Sequence, residues 1–437
     1  MNRPPPIDPL DELARLERFG IKPGLATIRC LTEALNRPQT AYQSIIVAGS
    51  NGKGSVVAMV DQALRSAGYR VGRYTSPHLT SLTERFVVDG KQIQYRELKT
   101  GAQQLFSKVD RLLREGSLSQ PPTFFEATTA IALSWFRKTR VDLALLEVGL
   151  GGRFDATNIV TPVAGVITPI ALEHCQYLGT TIEAIAHEKA GIIKPGMIVV
   201  TTETTPKVIE IFKQACSKNG ARLVQANIGT SVSRTSPNDP QVIKVTTPSH
   251  TYPPFKMNLA GSHQISNGIG AIRLLEELAD IGIPVSTNAV ANGLSTAVWP
   301  GRLEWMHVEG RGKVLLDAAH NPAAASALAE YLGGNFPKGL PLVLAVMNDK
   351  DLNGVVKHLA PFATHFICTK PDNPRAIPAD ALARQIREIP GTTSVTSCQD
   401  PKQALETAWN HSQTVCATGS IFLVGEILTN FSTNRSG

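Results

Sequence analysis

IIVAGSNGKGS, residues 45–55, is the stretch on which the fold turns. Ile45, Ile46, Val47 and Ala48 make an apolar run that reads as a buried strand. The run breaks at Gly49, and a helical pattern covers residues 55–67, with Val56, Met59, Val60, Ala63 and Leu64 on one face. Strand, glycine-rich loop, lysine, hydroxyl and helix, in that order, form a cradle for phosphate. Glycines let backbone N–H groups approach an anion, Lys53 adds a charge, and the helix N-terminus adds its dipole. The strict G-x-x-x-x-G-K-[ST] spacing is absent, because Val47 stands where the first glycine would be and Gly54 separates Lys53 from Ser55. A nucleotide triphosphate site is one reading of the loop; an ordinary glycine turn is the other.

The chain around this loop has 437 residues, enough for two or three domains and a large core. With 42% hydrophobic and 18% charged residues it has the composition of a globular protein, which argues against disorder. The net charge of +7 is spread along the sequence with no Lys/Arg block, so a nucleic-acid arm is not expected and anionic small ligands are weakly favoured. Cys30, Cys175, Cys216, Cys368, Cys398 and Cys416 form no C-x-x-C pair or regular spacing, which points to reduced thiols in the cytoplasm rather than a disulfide frame or zinc site. MNRPPPIDPLDELARL at the start has no apolar leader core, and no apolar run is long enough to span a membrane. A soluble, unexported protein is expected.

Along the chain, strand-like and helix-like patterns alternate. Residues 69–74 read as a short strand that leads into TSPHLTSLTERF, a loop dense in hydroxyls. Residues 98–115 and 124–137 read as helices. VDLALLEV, residues 141–148, is an apolar run with Glu147 near its end, just before Gly149, Gly151 and Gly152. A parallel strand buried on both faces that ends in an acid beside a glycine turn puts the carboxylate at the ligand-binding edge of an open α/β sheet; the alternative is a strand-terminal acid facing water. The pattern repeats at residues 163–170, followed by Glu173 and His174. A carboxylate and an imidazole at neighbouring strand ends can share a divalent cation, although a lone histidine after a strand is more often a capping or core residue. A helix over 181–193 carries Lys189, which position alone does not distinguish from a solvated surface lysine.

Residues 197–202 and 221–225 read as strands around a helix at 207–218, residues 229–255 as irregular or antiparallel β structure, and residues 262–281 and 287–298 as helices. Trp299, Pro300 and Gly301 then interrupt the periodicity, which sets the expected domains at 1–298 and 299–437. The second half alternates again: strands at 314–317, 342–346, 365–369 and 415–417, with helices at 323–332, 352–360, 378–389 and 401–411. This is the pattern of a Rossmann-like α/β domain, yet no G-x-G-x-x-G follows its first strand, so a dinucleotide is not indicated.

Taken together, GSNGKGS (49–55), TSPHL (75–79), LEVGLGGRFDATNIV (146–160), LEHCQYLG (172–179), HEKAGIIKPG (187–196), HQISN (263–267), PGRLE (300–304) and DAAHNP (317–322) resemble the folylpolyglutamate synthase/dihydrofolate synthase branch of the Mur ligase superfamily. The resemblance runs in order over nearly the whole chain. Only 48 residues precede Gly49, which leaves no room for the nucleotide-sugar domain that peptidoglycan Mur ligases carry there. It implies an α/β fold with an N-terminal P-loop ATPase domain built on a mostly parallel sheet and a C-terminal Rossmann-like domain. The implied activity is ATP-dependent joining of L-glutamate to dihydropteroate, to the γ-carboxylate of a reduced folate, or to both, through an acyl phosphate. A dual role is the preferred expectation. Alternatives are a Mur-type ligase for another acidic substrate and a nucleotide-dependent switch.

By the same resemblance Ser50, Asn51, Gly52, Lys53, Gly54 and Ser55 hold the ATP phosphates, and Ser76, Glu147 and His174 are magnesium ligands, with two ions expected. Lys189 matches the lysine that this family carbamylates. A free ammonium beside Mg²⁺ would repel it, whereas an N-carboxylated side chain is an oxygen-bearing anion. Asn267, Arg302, Asp317 and His320 would reach the nucleotide. Gly24, Leu25, Thr123, Phe124, Phe154, Asp155 and Ala156 would line the pterin pocket, with Phe124 stacking on the ring and Asp155 accepting from its amino group; Phe124 reads equally as a core aromatic. Ser50, Glu173 and Ala318 depart from the commoner Thr, Asp and Gly of this pattern, and the longer Glu173 bears on metal geometry. No nucleic-acid or membrane partner is expected, and a monomer is.

Overall fold

β1, Gln43–Ala48, is apolar and buried from its second residue to its last, as a strand covered on both faces requires. The structure, a computed structural model, describes residues 8–20, 22–235, 241–392 and 394–431. The first seven residues, part of the stretch read for a leader, lie outside them. β1 is joined by Val71–Tyr74 (β2), Phe86–Val88 (β3), Lys91–Gln92 (β4), Leu143–Glu147 (β5), Ala164–Ile167 (β6), Ile198–Thr201 (β7) and Arg222–Gln225 (β8) in one sheet, ordered β4-β3-β2-β5-β1-β6-β7-β8. All pairs from β2 to β8 are parallel; β3 and β4 add an antiparallel edge. The sheet is thus mostly parallel, as expected. The TSPHLTSLTERF stretch is only partly loop, because Ser81 caps the short turn Leu82–Arg85, which feeds β3.

Helices cover both faces. On one, Ile46, Ala48, Tyr74, Ala144 and Leu146 pack into a continuous core with Ala127, Ile131 and Phe136 from the helix Phe124–Lys138. On the other lies the helix Lys53–Ser66, against which Thr287–Thr296 packs so closely that a Cβ at Gly293 would strike the backbone of Ala63. The helix after the loop begins at Lys53, two residues before the expected Ser55, because Gly52 at φ +90° makes the turn and frees the next residues to enter the first helical turn.

The stretch 229–255, apart from 236–240, which lie outside the described residues, takes the antiparallel alternative. Ser231–Arg234 (β9), Val242–Thr246 (β10) and Thr251–Lys256 (β11) form a three-stranded sheet. Glu276, on the helix Ser262–Glu277 and with its side chain 3% exposed, anchors it by accepting from Thr247 Oγ1 and Tyr252 OH, and Arg273 pairs with both Glu276 and Glu277.

The chain packs as two units. The first holds the residues up to Lys256 together with Asn267–Ala297; the second holds Met257–Ser266 and the chain from Val298 onward. A single cut at 298 leaves the short segment Met257–Ser266 with the first unit, whereas the packing gives it to the second. That unit contains Glu304–Val308 (β12), Gly312–Leu316 (β13), Leu340–Leu344 (β14), Ala363–Cys368 (β15), Ser394–Ser397 (β16) and Thr414–Thr418 (β17), ordered β12-β13-β17-β14-β15-β16 and parallel except for the β12–β13 hairpin. β12, β16 and the closing helix Ile421–Phe431 are additions to the sequence reading. No helix among the described residues is long and apolar enough to cross a membrane.

Candidate active site

The loop between β1 and its helix is tightly enclosed. A Cβ at Gly49 would collide with Thr168 Oγ1, and one at Gly52 would collide with Asn267 Oδ1, so both glycines are required by close approach as well as by positive φ. Asn267, the expected nucleotide contact, therefore sits directly over Gly52. Lys53 Nζ turns back and donates to the carbonyls of Gly49 (2.9 Å) and Ser50 (3.0 Å). The Ser50 hydroxyl is engaged with the backbone of Ala171, donating to its carbonyl and accepting from its N–H, both at 3.0 Å, which docks the chain leading to His174 onto the loop. Gly54 and Ser55 are buried in the first turn of the helix.

Glu147 ends β5 as the register partner of Val47, so its carboxylate lies beside the strand that enters the loop. It is 5% exposed, and Oε2 accepts from the Ser76 N–H at 3.2 Å. Two of the three expected metal ligands are thereby brought together. His174 follows Glu173 at a left-handed residue, φ +48°, which starts a one-turn helix. Carboxylate, hydroxyl and imidazole are a donor set that suits Mg²⁺ or Mn²⁺, and a nearly buried carboxylate at a sheet edge fits such an ion. Lys189, only 2% exposed, donates to Glu173 Oε1 (2.7 Å) and to the Gly49 carbonyl (2.8 Å). One carbonyl thus receives two lysines. Burial pushes the Lys189 pKa down to about 8 against the pull of Glu173, with Lys53 adding to the depression. Burial raises the Glu173 pKa, but Lys189, Lys53 and His174 outweigh it and hold the carboxyl at about 2.

On the expected pterin side the structure redistributes roles. Asp155 is buried and faces its own loop: Oδ2 accepts from the N–H groups of Gly149 (3.0 Å) and Leu150 (2.8 Å), and Oδ1 accepts from the N–H and hydroxyl of Thr157. A carboxylate has about four acceptor sites, and these four donors engage them within the protein's own loop. Thr123 caps the helix Phe124–Lys138 in a reciprocal box with Glu126. Phe124 is half-buried against the core, and the Arg85 guanidinium lies 5.1 Å from its ring centre. Arg85 Nε also donates to His78 Nδ1 at 2.9 Å, and burial with this cation pushes the His78 pKa down to about 4. Leu25 and Phe154 do share an open pocket, of about 620 Å³, with Ala26, Arg29, Cys30 and Glu33. Gly24 precedes it at φ +141°, and Ala156 is buried at the start of a short helical turn.

Within the second unit, PGRLE and DAAHNP meet. Buried Asp317 accepts from the N–H groups of Leu303 (3.0 Å) and Ala319 (2.9 Å), and Ala318 N–H donates to the Gly301 carbonyl. Arg302 Nη1 donates to the Gly301 carbonyl, and His320 Nδ1 lies 2.9 Å from the Ala318 carbonyl. Burial pushes the Asp317 pKa up, opposed by Arg302 and His263. His263 was not among the expected site residues. Its place in HQISN, four residues before Asn267, was the available signal.

The family profile described as "Mur ligase middle domain" matches residues 47–275, and "Mur ligase, glutamate ligase domain" matches 301–421. The dihydrofolate synthase/folylpolyglutamate synthase of Bacillus subtilis is 33% identical over 94% of this chain and 95% of its own length. A crystal structure of Mycobacterium tuberculosis folylpolyglutamate synthase complexed with ADP and AMPPCP superposes with a TM-score of 0.89 at 33% identity, over 98% of this chain and all of that one. A bifunctional folylpolyglutamate synthase/dihydrofolate synthase with Mn, AMPPNP and L-glutamate bound gives 0.83 at 27% identity, over 98% of both chains. Loop, acidic strand end and paired domains agree with these matches in order and extent, and the chain belongs to the Mur ligase family, in its dihydrofolate synthase/folylpolyglutamate synthase branch.

Proposed function

We propose that this protein is an ATP-dependent amide ligase that adds L-glutamate to dihydropteroate and to the γ-carboxylate of a reduced folate. The observation that carries the reading is Lys53 folded onto the Gly49 and Ser50 carbonyls of the glycine loop, with Glu147 one strand away. A cation at a glycine loop receives a polyphosphate, and a carboxylate beside it can hold magnesium.

A carboxylate is a poor electrophile. Transfer of the γ-phosphoryl group breaks the bond to the β,γ-bridging oxygen and forms an acyl phosphate, with ADP leaving. The amine of glutamate then attacks the acyl carbon, phosphate departs, and the nitrogen loses a proton. Both steps gather negative charge on oxygen, so fixed donors and cations lower the barrier. Lys53 exchanges its carbonyl partners for phosphate oxygens, and the N–H groups of residues 51–55 hold the rest of the triphosphate, Ser50 N–H being bound to the Pro169 carbonyl. Ser76, Glu147 and His174 would hold Mg²⁺, with two ions in the full site, which would supply charge neutralisation at the phosphates. Asn267, Arg302, Asp317 and His320 bind the nucleotide. Leu25 and Phe154 give the pteroyl group an apolar wall, with Gly24, Thr123, Phe124 and Ala156 nearby; Asp155 shapes the loop.

Lys189 is the proposed site of N-carboxylation. Its buried amine nitrogen adds to the carbon of CO₂ and releases one proton, which leaves a carbamate anion. Loading with ¹³C-bicarbonate is expected to give a carbamate resonance that Lys189→Met lacks; an unlabelled wild type overturns this part. We place the enzyme in the cytoplasm as a monomer, which light scattering tests.

The main experiment supplies purified protein with ATP, Mg²⁺, L-glutamate and either dihydropteroate or tetrahydrofolate. One phosphate released per glutamate joined is expected with each acceptor. ATP turnover independent of glutamate and acceptor would favour a nucleotide switch and refute the ligase.

A further inference from the structure

Arg73 has no part in the chemistry above. It stands on β2 in register with Leu145 of β5, and Glu147 lies two residues further along that strand. Alternation puts Arg73 and Glu147 on the same face of the sheet. Strand spacing and rise set their Cα atoms about 8 Å apart, within reach for two long side chains. Asp61 comes to this face from the phosphate-loop helix Lys53–Ser66 and is fully buried. Its Oδ2 holds Arg73 Nη1 at 3.3 Å and Arg65 Nε at 3.2 Å. One carboxylate thus faces two guanidinium groups and cannot neutralise both. Burial pushes the Arg73 pKa down and Asp61 holds it up; Arg65 works against the charge, and Glu147 is the second acid that favours it.

Lys53 and Lys189 lie at the loop carbonyl of Gly49 and Arg73 lies on the face of Glu147, and the three differ in kind. Lys53 can swing to phosphate and Lys189 can be modified. Arg73 is fixed, with its side chain 18% exposed and tied to an acid that is itself 1% exposed. A fixed positive charge behind a carboxylate orients that carboxylate and also repels any divalent ion it binds.

We propose that Arg73 is a positioning residue that holds Glu147 and keeps the bare site weak for metal, so that the divalent ion is retained only together with a nucleotide triphosphate. The inference rests on the reading of Glu147 as a metal ligand. The negative charge of the triphosphate offsets the guanidinium, which couples metal and nucleotide binding.

The test titrates Mn²⁺ into the full-length protein, with and without AMPPNP, and follows the free ion by electron paramagnetic resonance. Wild type is expected to bind Mn²⁺ weakly alone and tightly with nucleotide. Arg73→Met should raise the nucleotide-free affinity on the order of tenfold or more, and Arg73→Lys should behave as wild type. A purely structural role for Arg73 gives no gain of affinity. Should Arg73→Met not fold, Asp61→Asn/Arg73→Met removes both members of the buried pair and carries the same expectation. Unchanged or weaker Mn²⁺ binding in the methionine variant, or an equal gain in the lysine variant, overturns the inference alone. A wild type that takes no Mn²⁺ even with AMPPNP overturns the metal reading of Glu147, and the inference with it.

Discussion

Asp155→Asn separates a loop-building role from a pterin-binding one. In the native protein four donors point at this carboxylate, two on each oxygen. Asparagine keeps one acceptor oxygen and replaces the other with an NH₂ group, so with that group toward Gly149 and Leu150 two N–H donors face a donor, and with it toward Thr157 one does, because the Thr157 hydroxyl can turn and accept. Each buried group left without a partner costs about 1–3 kcal/mol, so the loss is about 1–3 kcal/mol in the second orientation and about twice that in the first. Burial pushes the Asp155 pKa up, so removing the charge returns part of that loss. A net destabilisation of about 1–3 kcal/mol is expected. Urea denaturation reads the total, and hydrogen exchange at the Gly149 and Leu150 amides reads its location, because those N–H groups lose their acceptor if the side-chain oxygen stays with Thr157. Protection unchanged at both amides and at Thr157, with an unshifted urea midpoint and only a raised KM for the pteroyl substrate, would refute the loop role and restore the pterin contact.

Lys53→Met should lower kcat/KM for ATP by at least about a hundredfold while far-UV circular dichroism stays native; a variant within threefold of wild type refutes the phosphate role. Cys175 is exposed, whereas burial pushes Cys216 and Cys368 up to about 11 and about 12. Both buried thiols stay protonated at pH 8 and at pH 9, so a thiol reagent should modify Cys175 and spare them until urea unfolds the chain; rapid native labelling of either contradicts this. Arg273→Met leaves the Glu276 carboxylate without its cation, while Glu277 keeps Arg222, and should destabilise the first unit by about 3 kcal/mol; an unchanged urea midpoint would show that the cluster is not coupled to the fold.

The parts of the site legible in the sequence are those set by short-range pattern. VDLALLEV is apolar at nearly every position because β5 is buried on both faces, so the polar residue near its end had to lie at the sheet edge, and Glu147 does. Gly49 to Ser55 announces itself through glycine spacing. The loop contacts of Asp155 had a local signal: an acid two residues before a threonine makes an Asx turn, and Thr157 N–H takes that bond. Arg73 and Asp61 were invisible for another reason. They are twelve residues apart on a strand and a helix, and nothing in either segment marks the pairing. EWMHV alternates in the strand manner, with Met306 inward and Trp305 outward, but it begins three residues after the Pro-Gly break, which masks the pattern. Met257–Ser266 joins the second unit through contacts with distant sequence, which periodicity does not encode.

An ammonium already satisfied by its own backbone has a bearing on ligand choice. Before Lys53 can greet any anion it must let go of two carbonyl oxygens, each about 3 Å away. Chloride or sulfate offers too little in exchange, and both should be poor inhibitors even at the salt levels of a storage buffer. A chain of phosphates offers several charged oxygens at once, so the loop discriminates by how many it can grasp together rather than by affinity for any single one.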